Sequence, residues 1–176
     1  VDQWRGANPS VVKLWRNCEM AARTVIEEHR TVRLKNGIAF GYINGNLFIK
    51  LPSGRKLCYW NTHLKVDPRD GREHIVYMGV NQETKQWGET ETYGGKLVEN
   101  ITQAIARDCL AISMQRVAAL GYNIVMHVHD EMIVDVPTED TDALERINAC
   151  MGEAIPWAPG LPLRGDGYET PFYMKD

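Results

Sequence analysis

Long apolar runs and leader segments are both absent from this sequence of 176 residues. No apolar run approaches the roughly 18 residues of a membrane-spanning helix. The chain opens with the polar segment VDQWRGANPS, without a basic-then-apolar leader and without an initial Met. We therefore expect no membrane helix and no signal peptide, and we expect a piece excised from a longer chain.

Closely spaced cysteines are also absent. The four cysteines lie about forty residues apart, and no two of them form a C-x-x-C pair. This spacing argues against a structural zinc site and against a disulfide framework. A reducing, cytoplasmic setting is the simpler expectation.

The net charge of −3 hides an uneven distribution of charge along the chain. Residues 1–96 hold 15 Lys and Arg against 10 Asp and Glu, whereas residues 97–176 hold 5 against 13. A basic half can follow a phosphate backbone and an acidic half can hold cations, although ordinary surface charge is an open alternative. An apolar content of 44% is enough to bury one core, so we expect a single domain over 1–176.

Apolar residues at helical spacing predict three helices. The first covers 9–30, with Asn8 as its N-cap. The second covers about 95–120, and Thr138 is the predicted cap of a third over about 139–152. The tail that follows is rich in Pro and Gly, which predicts irregular structure.

Turn signals between short apolar runs predict an antiparallel meander over 37–92. Asn44-Gly45 separates two such runs, which is the strongest short signal for a hairpin. Further turns are expected at 52–55 and 67–73. Together with the helices, this pattern predicts an α+β fold in which long helices pack on an antiparallel sheet.

A second hairpin pattern, MHVHDEMIVDVP at 126–137, has an unusual bend. Apolar strands flank His129-Asp130-Glu131, where a hairpin usually has Asn-Gly or Asp-Gly. The apolar flanks predict that this hairpin lies centrally in a sheet. A solvated acidic turn is the plainer interpretation, but adjacent carboxylates on a stiff bend are suited to a hard cation such as Mg²⁺. A cluster of His127, His129 and Asp130 around a metal is a further alternative.

The chain resembles the C-terminal palm region of family A, the DNA polymerase I-like DNA polymerases, and above all their phage and prophage members. The similarity is strongest from YGGKLVENITQAIARDCL through GYNIVMHVHDEMIVDVP, and it extends to LPSGRKLCY and VDQWRGANPSVVKLW. The resemblance implies a DNA-directed DNA polymerase, a nucleotidyltransferase in the cytoplasm of a bacterial or phage-infected cell. It divides the chain into a helix after the fingers (1–36), a β meander (37–92), a minor-groove helix (93–121), the His-Asp-Glu hairpin (122–137), and a helix with a tail (138–176).

The same resemblance assigns roles to the bend. By position, Asp130 corresponds to one of two aspartates that hold a pair of catalytic Mg²⁺ ions. Glu131 is its supporting acid, and His129 lies near the primer terminus. The chemistry implied is two-metal phosphoryl transfer from a dNTP to a primer 3′-hydroxyl.

The resemblance also implies DNA contacts from the long helix and the meander. Gln103 matches a Gln that faces the minor groove. The family has an Asn four residues earlier, but this chain has Glu99 there and Asn100 beside it, so either of the two can face DNA. Lys96 and Arg55 are further candidates for contacts with primer–template DNA.

Several parts of that family are not found in the chain. The second metal-binding aspartate, the nucleotide-binding fingers helix and the thumb are all missing, which predicts a fragment with half of a metal site. By itself the fragment is expected not to polymerise, and an exposed sheet edge invites it to self-associate.

Two other functions remain as alternatives. One is an HD-type metal-dependent phosphohydrolase, for which His129 and Asp130 are adjacent, although such pairs normally lie on helices. The other is a non-catalytic nucleic-acid-binding module with a basic meander. The five tryptophans lie in different elements and are expected to be packing residues rather than base-stacking platforms.

Overall fold

The computed structural model describes residues 2–81 and 84–173. The parts of the predicted meander at 82–83 and of the tail at 174–176 therefore lie outside the described residues. The sequence predicts one domain, but the chain divides into two compact units, Val1–Gln103 and Ala104–Asp176, and their boundary falls inside one long helix. No helix in the described ranges is long and apolar enough to cross a membrane.

The elements are helices and antiparallel strands, which confirms the predicted α+β class. In chain order they are α1 Asp2–Ala7, α2 Pro9–Glu28, β1 Val32–Arg33, a short 3₁₀ turn Lys35–Gly37, β2 Ala39–Ile43, β3 Asn46–Lys50, β4 Lys56–Val66, β5 Glu73–Val80, β6 Trp87–Thr92, α3 Gly94–Ala119, β7 Asn123–Val128, β8 Glu131–Asp135 and α4 Ala143–Gly152.

The first unit contains a six-stranded sheet in the order β1-β2-β3-β4-β5-β6, in which all neighbouring strands are antiparallel. The predicted meander is confirmed, and the two-residue strand β1 extends it at one edge. Asn44 and Gly45 form the predicted turn, with positive φ angles of 50° and 79°. A bulge interrupts the β4–β5 register between Trp60 and His63.

Helix α2 covers one face of this sheet with small side chains. Its buried residues are Cys18, Ala21, Ala22, Val25 and Ile26. The helix ends two residues before the predicted limit, because His29 takes a left-handed φ of 53° and donates its N–H to the carbonyl of Val25 at 3.1 Å. Asn8 is the N-cap residue of α2, as predicted, but its side chain makes no capping hydrogen bond, because its amide donates to the carbonyl of Trp4 at 2.9 Å.

The hairpin β7–β8 forms a two-stranded sheet of its own among the described residues. The prediction that it lies centrally in a sheet was therefore wrong. Val125 remains 56% exposed and Met126 42% exposed, so the apolar residues of β7 only partly reach a core. The register shifts between Ile124 and Met126. Such a bulge interrupts the alternation of side chains between the two faces of a strand, which is consistent with the exposure of Val125 and Met126.

Helix α4 begins at Ala143, four residues after the predicted start, and Thr138 does not cap it. The reason is a preceding turn, in which the N–H of Asp140 donates to the carbonyl of Pro137. The irregular tail lies against this helix in the same unit. The N–H of Gly167 donates to Asn148 Oδ1 at 3.0 Å.

The start of α3 packs closely on α2. A β-carbon at Gly94 would lie 2.1 Å from the carbonyl oxygen of Trp15. In addition, the N–H of Gly94 donates to Glu19 Oε2 at 3.0 Å. Only a residue without a side chain fits between these helices, so Gly94 is needed for packing within the first unit.

Gly94→Ala should lower the free energy of unfolding by about 1–3 kcal/mol, because the added methyl group must displace the backbone of α2. Gly88→Ala is the matched control, since a β-carbon at Gly88 would meet nothing within 4 Å. Urea unfolding followed by circular dichroism measures both. Equal unfolding free energies for the two variants would contradict this packing.

Candidate active site

The His-Asp-Glu bend lies at the tip of a regular hairpin. Val128 pairs with Glu131, so His129 and Asp130 form the turn and Glu131 begins β8. His129 has a positive φ of 50°, a conformation that non-glycine residues adopt less often and that is enriched at functional sites. The structure thus brings the three predicted residues together on a short, constrained turn.

Both carboxylates of the bend are exposed. Neither Asp130 nor Glu131 has a hydrogen-bond or ion-pair partner within residues 2–81 and 84–173. Their oxygens are therefore available to a cation or to water. The adjacent His129 and Asp130 lie in a turn between strands, which does not match the helical placement that HD-type chemistry needs.

The alternative cluster of His127, His129 and Asp130 does not form. The His127 ring instead contacts the guanidinium of Arg107 on α3, at 3.2 Å from Nδ1 and 3.4 Å from Nε2. Only one ring nitrogen of a neutral imidazole accepts a hydrogen bond, so one of these contacts is a bond and the other is proximity. The contact lies at the mouth of a cleft of about 390 Å³ between α3 and β7.

In the first unit, the beginning of α3 and the sheet enclose an open cleft of about 380 Å³. Its lining residues are Leu57, Cys58, Tyr59, Tyr77, Asn100 and Gln103. Two of the predicted DNA contacts, Asn100 and Gln103, therefore line one cleft. The sequence analysis missed the two tyrosines, although their places on neighbouring strands of the meander could have indicated a shared face.

Asn100 and Gln103 differ in what they bind. The amide of Asn100 donates to the hydroxyl oxygen of Tyr59 at 2.8 Å, whereas Gln103 is exposed. Burial raises the pKa of Tyr59 to about 12, against the opposing effect of the Asn100 hydrogen bond. The Tyr59 ring also contacts Tyr77 edge to face, at 5.0 Å between ring centroids. Tyr59 thus remains neutral at physiological pH and fixes the Asn100 amide.

Of the remaining predicted contacts, Glu99 and Arg55 are exposed and Lys96 is half-buried. Lys96 and Glu99 lie one turn apart on α3 and form an ion pair, with 3.2 Å between Nζ and Oε2. Arg55 lies in the tight turn between β3 and β4, where its carbonyl accepts the N–H of Leu51. Glu99 is therefore partly neutralised by its neighbour on the helix.

A second group of acids lies in the β4–β5 turn. Asp67, Asp70 and His74 place ligand atoms within 4.8 Å of one another, the one such triad in the described part of the chain. However, the Arg69 guanidinium donates to Asp67 at 2.9 and 3.0 Å. The His74 ring lies between two further acids, with 3.1 Å from Nε2 to Asp70 Oδ2 and 3.3 Å from Nδ1 to Glu91 Oε2. The group is a salt-bridged turn, because a cation already occupies the Asp67 carboxylate.

Comparison with known proteins shows a relative that matches the whole chain, including the bend and α3. The DNA polymerase of Bacillus phage SP02 is 49% identical to this chain over all 176 residues. This chain is homologous to part of a phage DNA polymerase. The resemblance predicted from the sequence is therefore confirmed. The chain spans 27% of the length of that relative, and neither a protein-family model nor a solved structure matches it.

The pairing of Asp67 with Arg69 predicts that the β4–β5 turn loses stability in acid. The side-chain and backbone hydrogen bonds from Arg69 lower the pKa of Asp67 from 3.8 to about 2. The ionised carboxylate therefore stabilises the fold above about pH 4, and this contribution is lost as the pH falls towards 2.

The difference in Tm between wild type and Asp67→Asn should be present near pH 6 and vanish near pH 2. In the Arg69→Gln background, Asp67→Asn should no longer cause this pH-dependent difference in Tm, because the guanidinium that pairs with Asp67 has been removed. Thermal unfolding at a series of pH values measures both. A Tm difference that stays constant over this range would contradict the pairing.

Proposed function

We propose that this chain is the C-terminal palm portion of a DNA-directed DNA polymerase that acts in replication or repair in the cytoplasm of a bacterial or phage-infected cell. The observation that carries the proposal is the 49% identity to a phage DNA polymerase over the full chain. The hairpin geometry supports it, since consecutive carboxylates lie at a constrained bend without protein partners.

In this proposal Asp130 and Glu131 hold Mg²⁺. Unpaired carboxylate oxygens are the donors that this ion prefers, so the residues present fit it. When bound, Mg²⁺ supplies activation of the primer hydroxyl and neutralisation of the triphosphate charge. The chain supplies position: the turn fixes both carboxylates, and His129 lies beside them toward the primer terminus. A second aspartate comes from a part of the polymerase outside this chain.

The DNA contacts divide into direct and supporting groups. Gln103 is exposed and has both amide atoms available to the minor groove. Asn100 has one amide hydrogen committed to Tyr59, so it lines the same cleft in a fixed orientation. Glu99 is a carboxylate and would repel the phosphate backbone, and its ion pair reduces the net charge of Lys96. We therefore assign the family's Asn position to Asn100 rather than Glu99.

The proposed partners are primer–template DNA and a dNTP in the complete polymerase. A chain with half of a metal site should not polymerise by itself. Strand β6 lies at one edge of the six-stranded sheet, so an isolated chain is expected to self-associate through unpaired backbone groups.

The test uses a chimera in which residues 1–176 of this chain replace the homologous segment of the Bacillus phage SP02 DNA polymerase. Primer extension by the chimera is then measured. Asp130→Ala in this chimera should lower the rate by about three orders of magnitude or more, as expected when a two-metal site is broken. Binding of primer–template should persist. The matched control is Asp135→Ala, which removes an exposed carboxylate from the far end of the same hairpin.

Near-normal extension by the Asp130→Ala chimera would contradict the metal-binding role. Template-directed nucleotide addition by the isolated 176 residues would contradict the proposal that the chain holds half of a site.

A further inference from the structure

The sheet of the first unit has one covered face and one open face. Register places Phe40, Leu47, Ile49, Tyr59 and Ile75 on the face that packs against helices, and all five are buried. The opposite face, here called the open face, carries the exposed apolar residues Ile43, Trp60, Val80 and Trp87. The register places on it Ala39, Gly41, Ile43, Asn46, Phe48, Lys50, Lys56, Cys58, Trp60, Val76, Met78, Val80, Trp87, Glu89 and Glu91. Of these, Ala39, Asn46 and Val76 are buried.

Large apolar side chains remain exposed on the open face. Trp60 is 57% exposed and Trp87 is 62% exposed. Trp60 pairs with Met78 across β4 and β5, and Trp87 pairs with Val80 across β5 and β6, so the two rings belong to one continuous patch. The expectation that these tryptophans are packing residues was therefore wrong for Trp60 and Trp87.

The backbone beneath Trp60 is firmly held. The bulge that follows it is fixed by the N–H of Asn61, which donates to Asn46 Oδ1 at 2.8 Å, and by the N–H of Thr62, which donates to the carbonyl of Gly45 at 2.8 Å. Thr62 also donates its hydroxyl to the carbonyl of Tyr59. These bonds fix the backbone from which the Trp60 ring projects.

The charge at one end of the open face has a single sign. Lys50 and Lys56 lie directly opposite each other in the β3–β4 register, an arrangement that costs stability because like charges repel. Neither lysine forms an ion pair with an acid in the described ranges. Glu89 lies on the same face, opposite Met78 and two residues after Trp87, and its carboxylate is paired with Lys65. This end of the open face therefore suits a polyanion.

We propose that the open face binds single-stranded nucleic acid, with bases stacked on Trp60 and Trp87 and phosphates near Lys50 and Lys56. Exposed aromatic rings on a sheet that is flanked by cations are a general means of holding unpaired bases without reading their sequence. The site is separate from the bend and does not depend on the metal-binding role of Asp130.

Fluorescence anisotropy with a labelled oligothymidylate of about 12 nucleotides tests the proposal on the 176-residue chain. Trp60→Ala and Trp87→Ala should each weaken binding roughly tenfold, as expected for the loss of one base–aromatic stack. Trp4→Ala is the matched control, because Trp4 is 50% exposed but stacks on Trp15 in the helices. It should leave affinity unchanged.

The salt dependence tests the lysines. Lys50→Gln and Lys56→Gln should each reduce the slope of log affinity against log salt by about 0.7, whereas Lys13→Gln, on the exposed side of α2, should not change it. Equal affinity of wild type and both tryptophan variants would overturn the proposal. So would self-association that both variants abolish in sedimentation experiments without oligonucleotide binding, because the open face would then be an interface between copies.

Discussion

The packing of α2 and the start of α3 on one face of the sheet is the constraint on which the first unit depends. Small residues on α2 and the missing side chain of Gly94 allow these helices to come close. The same contact positions the start of α3 beside the sheet, so that Asn100 lies within hydrogen-bond distance of Tyr59 in the cleft. On the opposite face of the sheet, Trp60 and Trp87 are exposed.

Acidic side chains have two different environments in this chain, and the difference separates the acids of the β4–β5 turn from those of the proposed metal site. In the β4–β5 turn, Asp67 is bound by a guanidinium and a backbone N–H, so its charge is used to hold the turn. At the His-Asp-Glu bend, Asp130 and Glu131 have no such partners in the part of the chain that the structure describes. A fixed, unpaired pair of carboxylates is what a cation-dependent reaction requires.

Local signals in the sequence predicted most of the elements, and tertiary contacts decided the rest. The Asn44-Gly45 turn and the helical period of α3 depend on neighbours along the chain, so both were predicted correctly. The start of α4 was misplaced because a local turn, in which the N–H of Asp140 donates to the carbonyl of Pro137, precedes the helix. The exposure of β7–β8 depends on contacts distant along the chain, which no short motif encodes. The exposure of Trp60 was not predicted for a similar reason, because it depends on which face of the sheet α2 covers. The bend residues were found from composition and resemblance together.

Paramagnetic Mn²⁺ as a probe for Mg²⁺ tests the central claim most directly, because it discriminates between the two acidic groups. In amide NMR spectra of the 176-residue chain, low concentrations of Mn²⁺ should broaden the signals of His129, Asp130 and Glu131 first, and Asp130→Ala should abolish that broadening. Broadening that starts around Asp67 and Asp70, with the bend unaffected, would contradict a metal-binding role for the hairpin.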